Sequence, residues 1–468
     1  MSSLSGQRST AGGAGMHTIS DDSVRTVDEI LDLVRHRLLD DDLPLGAVLS
    51  SRDLAERSEV TIDEDGHGTS AVLDHFTRVL APACIAADDP RYLSFIPAAP
   101  TSAAIAFDLA VTASSIFAGF RQTSSGAVFA EDEAIRWLAH EFGLPTSSGG
   151  TFVQGGTLGN LSALVAARDR ARRRTPVAPD RWCVVCSREA HSSIVSAAHV
   201  MDVDVVLVDC DTDGSMRGPA VRAALDAHGD SVFAVVATAG STNCGTVDDI
   251  AGIAGLRPGH DFWLHVDGAY GLAGMLSPLT RPLFDGVADA DSVIVDPHKW
   301  LFAPHDACAL IYRDPEGARR SHTQRAPYLD VTAEHVEPSP ADYAVHLTRR
   351  ARGLALWYSL ASHGAAAYRA AITSTITTAR TIAEEIERRP HLRLIRHPQL
   401  SIVAFERAGW GHGDYAAWSA TLLAEQVGFV APTSTDGRPH LRFAIINPRT
   451  TIELLLRILD TLDEPRSR

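Results

Sequence analysis

The sequence predicts an α/β protein built around a mainly parallel β-sheet, followed by a smaller α+β region. Six short apolar runs, rich in valine, alternate with helical stretches between about residues 100 and 315. They read WCVVCS, VDVVLVDC, SVFAVVATAG, FWLHVDGAYG, DSVIVDPHKW and ACALIYRD. Nearly continuous apolar runs of this length are typical of strands that are buried on both faces of a sheet. At 468 residues, the chain is long enough for two or three domains around a sizeable core.

The elements before and after these runs divide the chain into four predicted parts. Residues 1–20 lack the apolar middle of a secretion signal and are expected to be a disordered tail. Apolar residues at three- and four-residue steps predict an amphipathic helix at the start of an N-terminal helical segment, 21–100. Residues 101–360 form the predicted large domain. Residues 361–468, with the strand-like LSIVAFER and HLRFAIIN, form the small C-terminal domain.

Composition argues against several classes of partner. A formal net charge of −16 gives no support to nucleic-acid binding, which usually needs a basic face. No apolar run approaches the roughly 18 residues that a membrane span needs. Six scattered cysteines fit a reduced cytoplasm, and we expect no metal, although Cys183 and Cys186 form a C-x-x-C pair inside a predicted strand.

One residue type occurs only once. Of 42 basic residues, Lys299 alone is a lysine, and it lies in SVIVDPHKWLF, just past a predicted strand. Drift toward arginine could leave one lysine behind by chance. The chemical alternative is that this position needs a primary amine, which can lose its proton and condense with a carbonyl, whereas a guanidinium cannot.

Three other segments bear on this choice. Asp267 ends the predicted strand in LHVDGAYG and could form a structural ion pair with Lys299. The glycines of FVQGGTLGNLSAL lead into a helix whose first N–H groups, with the Thr157 hydroxyl, can hold a phosphate. His191 follows a strand and could stack on a planar ring or be an ordinary structural histidine. Together, an amine, a carboxylate, a helix start that can bind phosphate and a ring that can stack indicate a site for pyridoxal 5'-phosphate.

Seven segments, in order, resemble the group II pyridoxal-phosphate-dependent amino acid decarboxylases, which include aromatic-L-amino-acid and glutamate decarboxylases. They are DPRYLSFIPAAPT, FVQGGTLGNLSAL, HSSI, ATAGSTNCGTVDDI, HVDGAYG, DPHKWLFAP and LRFAIINPRTT. The resemblance covers about residues 25 to 460. It implies the type I, aspartate-aminotransferase-like fold, with an amino acid substrate and active sites shared across a homodimer interface.

The resemblance also implies a role for individual residues. Lys299 would condense with the cofactor's aldehyde, Asp267 would pair with the pyridine nitrogen, and His191 would stack on the ring. The remaining implied cofactor contacts are Gly156 and Thr157 at the phosphate, Thr242 near the ring and the substrate carboxylate, Ala269 on the opposite ring face, His298 and Asp296. Asp296 departs from the pattern, because several relatives have a phosphate-binding asparagine there, and a carboxylate beside a phosphate is unfavourable.

The choice of reaction depends on Tyr328, in QRAPYLDV. In the family, a tyrosine on a loop after the lysine protonates Cα once carbon dioxide has left, and relatives with phenylalanine there release aldehydes. Tyr328 therefore favours decarboxylation to an amine over an aldehyde synthase or another lyase on the same fold. A regulator that binds the cofactor without catalysis is the third alternative, and the intact set of catalytic residues argues against it.

The substrate is left open by the sequence. Aromatic amino acid decarboxylases line the substrate pocket from the segment that reads AADDPRYLSFIP here, which makes Phe95, Ile96 and Pro97 the candidate substrate residues. Ala87 and Ile96 stand where aromatic residues are common in those relatives. The pocket is therefore expected to accept either an aromatic side chain or a different, smaller one.

Overall fold

The computed structural model describes residues 15–40, 43–324, 337–435 and 437–463. The chain divides into two compact units, Met1–Ala86 and Ala87–Arg468. The four-part division of the sequence into a tail, a helical segment and two domains stays a prediction.

Within its described residues, the first unit contains three α-helices: α1 (Asp21–Leu39), α2 (Ser51–Arg57) and α3 (Thr69–His75). Helix α1 confirms the predicted amphipathic helix. Its N-terminus is capped by Ser20, whose side-chain oxygen accepts a hydrogen bond from the Ser23 backbone N–H.

The second unit is built on a seven-stranded sheet, and its mainly parallel character confirms the predicted fold class. The strands are β1 (Gly149–Val153), β2 (Cys183–Ser187), β3 (Asp204–Val208), β4 (Val232–Thr238), β5 (Trp263–Asp267), β6 (Ser292–Val295) and β7 (Cys308–Tyr312). Their order is β1-β7-β6-β5-β4-β2-β3, and β7 runs in the direction opposite to the other six strands. The six predicted apolar runs are confirmed as β2 to β7.

Strand β1 was not predicted, because two glycines begin it. One of them, Gly150, is required by a contact with another strand of the sheet. A Cβ atom on Gly150 would lie 1.9 Å from the carbonyl oxygen of Leu310 on the paired strand β7. Only glycine allows the two backbones to approach this closely.

Helices cover both faces of the sheet and bury the two halves of its core. They are α4 (Ser102–Ala113), α5 (Arg121–Glu141), α6 (Gly156–Arg174), α7 (Ser192–Met201), α8 (Gly218–His228), α9 (Ile250–Ala254), α10 (Pro315–His322), α11 (Leu354–His363) and α12 (Ala365–Glu387). One helical run, predicted over RARGLALWYSLASHGAAAYRAAI, is in fact two helices, α11 and α12. Gly364 separates them with φ of +79° and ψ of 152°, a backbone conformation that L side chains rarely adopt and that interrupts the helix.

Cys183 and Cys186 belong to opposite faces of the large sheet. Cys183 packs in the apolar cluster on one face and Cys186 in the cluster on the other, as the two-residue period of a strand requires. The two sulfur atoms of this C-x-x-C pair therefore cannot bind one metal ion together.

A four-stranded antiparallel sheet forms the C-terminal part of the second unit. It contains β8 (Leu392–Leu394), β9 (Ile402–Arg407), β10 (Thr433–Thr435) and β11 (Arg438–Ala444), in the order β10-β11-β9-β8. Helices α13 (His412–Ala424) and α14 (Ile452–Asp460) accompany it. Its core includes the buried side chains of Phe405, Trp418, Phe443 and Leu455.

Among the residues that the structure describes, none of the helices combines the length and the apolar character that crossing a membrane requires. The longest, α12, has 23 residues and carries arginines and glutamates along its length.

Candidate active site

A cavity of about 290 Å³ opens at the carboxyl ends of the strands of the large sheet. This is where ligands bind in open α/β sheets, because the loops that follow the strands leave a crevice there. All nine residues predicted to contact the cofactor line it: Gly156, Thr157, His191, Thr242, Asp267, Ala269, Asp296, His298 and Lys299.

Lys299 enters the cavity from the turn that follows β6. The turn is closed by a hydrogen bond of 2.9 Å from the Lys299 backbone N–H to the Asp296 carbonyl oxygen. The Lys299 Nζ atom lies 2.9 Å from Asp296 Oδ2. Burial alone would lower the pKa of the Lys299 amine, but the charge of Asp296 and the hydrogen bond to it outweigh burial and raise that pKa above its usual value. Lys299 is therefore an ammonium ion in this state.

Asp296 is a buried carboxylate, with 2% of its side chain exposed. Its Oδ2 atom also lies 3.7 Å from His298 Nε2. Burial raises the pKa of Asp296, but the charge of Lys299 and the neighbouring His298 outweigh this effect and hold the pKa below its usual value. Asp296 Oδ1 has no hydrogen-bond partner among the described residues, although the Cys308 thiol lies beside the carboxyl group. A buried carboxylate oxygen without a protein partner is uncommon.

Asp267 ends strand β5 and is held by two donors. Its Oδ2 atom accepts a hydrogen bond of 2.8 Å from Asn160 Nδ2, and its Oδ1 atom accepts one of 3.1 Å from the Ala269 backbone N–H. Such donors favour the charged form of a carboxylate. Asp267 is therefore suited to pair with a protonated ring nitrogen.

Sequence reasoning missed the network behind Asp267. Trp263 Nε1 donates to Ser292 Oγ (2.8 Å), so the Ser292 hydroxyl can donate to His265 Nδ1 (2.7 Å). The other ring nitrogen of His265 then donates to Asn160 Oδ1 (2.8 Å), which turns the Asn160 amide nitrogen toward Asp267. Burial lowers the pKa of His265 to about 4, so the ring stays neutral and the direction of the chain is fixed. The available signal was that Asn160 follows Gly156 by one helical turn in α6.

The same asparagine also orients His191. Asn160 Nδ2 donates to Ser193 Oγ at 2.9 Å, and this hydroxyl lies 2.8 Å from His191 Nδ1. Ser193 also donates its backbone N–H to His191 Nδ1 at 3.2 Å, which caps helix α7. His191 Nδ1 is thus an acceptor, and Nε2 carries the hydrogen of the neutral ring.

Helix α6 begins at the wall of the cavity, against the end of β6. A Cβ atom on Gly156 would lie 3.2 Å from both Ala269 Cβ and Asp296 Oδ2. One on Gly159 would lie 2.9 Å from Ile294 Cγ2. The glycines therefore let the first turn of the helix press against the strand end. Leu158 and Gly159 donate their backbone N–H groups to the Gly155 carbonyl oxygen. The N–H groups of Gly156 and Thr157 precede them at the start of this 19-residue helix, where backbone N–H groups can bind an anion.

The donor set fits pyridoxal 5'-phosphate. The start of α6 with Thr157 suits the phosphate, the Lys299 amine suits the aldehyde, and Asp267 suits the ring nitrogen. Asp296, on the wall of the same cavity, has one oxygen, Oδ1, without a hydrogen-bond partner among the described residues.

Thr242 is held from the side of the small sheet by Arg442, which sequence reasoning also missed. The Arg442 guanidinium donates to the Thr242 carbonyl oxygen, and its burial lowers its pKa. Tyr270, another cavity residue, contacts the Ser401 hydroxyl at 2.6 Å. These contacts fix the loop after β4 and the turn after β5 to the C-terminal sheet.

Three predicted site residues do not line the cavity, and the placement of a fourth is not described. Tyr328 lies outside the described residues. Phe95, Ile96 and Pro97 are not among the described residues that line the cavity. Phe95 has 59% of its side chain exposed and lies 6.5 Å from the Phe429 ring, centre to centre. The roles of all four stay predictions.

Comparisons with known proteins identify the family. Residues 52–408 match the model of the pyridoxal-dependent decarboxylase conserved domain. The chain is 28% identical to the aromatic-L-amino-acid decarboxylase of Bacillus atrophaeus over 93% of this chain and 92% of that protein. It is 30% identical to the L-2,4-diaminobutyrate decarboxylase of Rhizobium meliloti (strain 1021), over 86% of this chain and 83% of that protein.

The fold of this chain also matches that of a solved structure. The crystal structure of Oryza sativa TDC with PLP and tryptamine superposes with a TM-score of 0.85 at 25% identity. The match covers 95% of this chain and 98% of that one. The chain therefore belongs to the family of pyridoxal-dependent decarboxylases, enzymes that use pyridoxal phosphate to release carbon dioxide from L-amino acids.

Proposed function

We propose that this enzyme holds its cofactor through Lys299, Asp267, His191 and the first turn of α6, and converts a free L-amino acid to its amine. One observation carries the proposal. The only lysine of the chain and the buried carboxylate of Asp267 line the same cavity, at the ends of neighbouring strands. In this proposal, the Lys299 amine binds the cofactor's aldehyde and the Asp267 carboxylate pairs with its ring nitrogen.

Bound pyridoxal phosphate supplies an aldehyde for condensation with amines and a ring that accepts the electron pair left at Cα when carbon dioxide leaves. The residues of this chain set the conditions for that chemistry. Asp267, which accepts hydrogen bonds from Asn160 and Ala269, stabilises positive charge on the ring nitrogen. His191, fixed by Ser193, orients the ring plane.

Tyr328 is proposed as the general acid that returns a proton to Cα. We expect Tyr328→Phe to bind cofactor and substrate and to release carbon dioxide, but to yield less amine and more aldehyde. The products are identified by mass spectrometry, with Tyr358→Phe as a control for the loss of a tyrosine hydroxyl elsewhere. Wild-type amine yield from Tyr328→Phe, without aldehyde, would show that another group delivers the proton.

Two substrate classes are proposed. The relatives named above act on aromatic amino acids and on L-2,4-diaminobutyrate. The test is a screen of the proteinogenic L-amino acids and L-2,4-diaminobutyrate for carbon dioxide release, with the amines identified by mass spectrometry. Lys299→Arg is the control for background. Bound cofactor with no release from any amino acid would favour a non-catalytic role.

A homodimer with shared active sites is proposed as the assembly. It is supported by α1, on which Val24, Val27, Ile30 and Leu31 are exposed and offer an apolar face to a partner. Light scattering during size-exclusion chromatography measures the mass. Mixing Lys299→Arg subunits with Tyr328→Phe subunits tests sharing, because mixed dimers regain amine formation only if each site draws these residues from different subunits.

A cytoplasmic location is proposed as well. All six cysteines are free thiols in this structure, as in a reducing compartment. Fractionation of the source cells, with the protein followed by an antibody, would test this.

A further inference from the structure

We propose that a second pocket of this enzyme, between α5 and α11, binds an organic ammonium ion. The pocket has a volume of about 340 Å³, which is within the range of small-ligand sites. Among the described residues, its lining has none in common with that of the cofactor cavity. The inference goes beyond the proposed function and does not depend on the roles of the cofactor-binding residues.

The pocket is lined by one face of each of two helices. Helix α5 contributes Glu133 and Trp137, which are one helical turn apart, and α11 contributes Trp357 and Leu360, which are three residues apart. The other described residues of the lining are alanines. The wall therefore combines two indole rings and aliphatic groups with a single carboxylate.

The charge of this lining is negative. Glu133 is its charged side chain, and Glu133 Oε2 accepts a hydrogen bond of 2.7 Å from Trp357 Nε1. This bond holds the carboxylate beside one of the indoles. Arg136, a cation on the same helix, has its guanidinium carbon 6.0 Å from the centre of the Phe129 ring. No basic side chain among the described residues forms an ion pair with Glu133, so its carboxylate is available to a cationic ligand.

The indole rings select an organic cation. The face of an indole is the strongest aromatic site for a cation, because its π electrons make that face negative. Leu360 belongs to the last turn of α11, where the helix dipole also favours positive charge. The aliphatic part of the wall suits alkyl groups on the ligand. A metal ion is a poor occupant, because one carboxylate supplies too few oxygen ligands for it.

An organic ammonium ion therefore matches every part of the wall. Its positive charge faces Glu133 and the indoles of Trp137 and Trp357, and its carbon atoms contact Leu360 and the alanines. Amines produced by decarboxylation belong to this class, because an alkylamine is protonated at neutral pH. The pocket thus suits the kind of molecule that the enzyme is proposed to make.

Titration calorimetry of the holoenzyme with choline tests the proposal. The quaternary nitrogen of choline carries no hydrogen, so choline cannot condense with the cofactor's aldehyde. Its neutral analogue of the same shape, 3,3-dimethylbutan-1-ol, is the matched control ligand. We expect choline to bind about tenfold more tightly than this alcohol, because only the cation is attracted by the indoles and the carboxylate.

Two variants place the binding in this pocket. Glu133→Gln removes the charge but keeps an oxygen that accepts the hydrogen bond from Trp357 Nε1. Trp137→Leu removes one indole and keeps an apolar wall. Each should weaken choline binding at least about threefold. Glu425→Gln, which removes the charge of another exposed glutamate, should leave choline binding unchanged.

Three results would overturn the proposal. The first is wild-type holoenzyme that does not bind choline. The second is equal affinity for choline and for 3,3-dimethylbutan-1-ol, which would show an apolar pocket without preference for a cation. The third is unchanged choline binding in both Glu133→Gln and Trp137→Leu. If Trp137→Leu does not fold, Glu133→Gln decides, because Glu133 is exposed. Carbon dioxide release by the same preparations tests the proposed function separately.

Discussion

Replacing Asn160 with aspartate should make the stability of this enzyme strongly dependent on pH. The side chain is buried, and its amide nitrogen donates to Asp267 Oδ2 at 2.8 Å while its oxygen accepts from His265 Nε2 at 2.8 Å. The variant Asn160→Asp keeps the shape and the acceptor oxygen. It replaces the donor with a second carboxylate oxygen that faces Asp267.

The size of the effect follows from this distance. Two unit charges 2.8 Å apart repel each other by about 6 kcal/mol at an effective dielectric constant of about 20. Because one pKa unit corresponds to about 1.4 kcal/mol, the folded variant should bind one proton with a pKa near 8, against about 3.9 for an unfolded aspartate. Whether the proton lies on the new carboxyl group or on His265, the folded state holds one proton more than the unfolded state.

The sign follows from linkage. A carboxyl group whose pKa is raised by folding contributes most stability below its unfolded pKa, and this contribution is lost as the pH rises toward the folded pKa. The free energy of unfolding of Asn160→Asp, relative to the wild type, should therefore fall by about 1.4 kcal/mol per pH unit above pH 4, and by about 4 kcal/mol at pH 7.

Urea unfolding of the cofactor-free proteins between pH 5 and 8, followed by circular dichroism, measures this loss. Asn243→Asp is the matched control, since the side-chain oxygen of Asn243 accepts from Thr433 Oγ1 at 3.2 Å and remains an acceptor in the variant. A loss of stability in Asn160→Asp that is the same at every pH would refute the buried carboxylate pair. So would a pH dependence equal to that of Asn243→Asp.

Three further predictions concern the cofactor and the packing of the sheet. Lys299→Arg should keep the charge and the fold but show no pyridoxyl group after borohydride treatment and peptide mapping, because a guanidinium does not form the covalent linkage; a label elsewhere in the wild type would contradict the assignment. Asp267→Asn should lower turnover at least about 100-fold, a barrier increase of about 2.7 kcal/mol, and near-normal turnover would mean that another group serves the ring nitrogen. Gly353→Ala should lower the free energy of unfolding by about 1–3 kcal/mol, because the new Cβ atom would lie 2.3 Å from a ring carbon of Phe152. Gly413→Ala, with open space around the new Cβ atom, should not lower it. Equal thermal stability of the two variants would contradict this packing.

The sequence by itself determined the type of fold and predicted residues that line the cavity. Valine-rich runs predict buried parallel strands because such strands are apolar on both faces, and β2 to β7 confirm this. Because parallel strands end at one edge of a sheet, residues that follow them, such as Lys299 and Asp267, could be expected to meet there. A lysine that occurs once among arginines pointed to amine chemistry before any contact was known.

Only the tertiary structure decided which groups support those residues. Asn160 lies 107 residues before Asp267 and 105 before His265, and no local pattern links positions so far apart. Strand β1 was not predicted, because Gly150 is required by the close approach of the β7 backbone, which lies far along the chain. The pKa of Asp296 likewise reflects its burial, which raises it, and the contact with Lys299, which outweighs burial. Hydrogen-bond direction and desolvation arise only when distant segments pack together, and neither can be read from the order of residues along the chain.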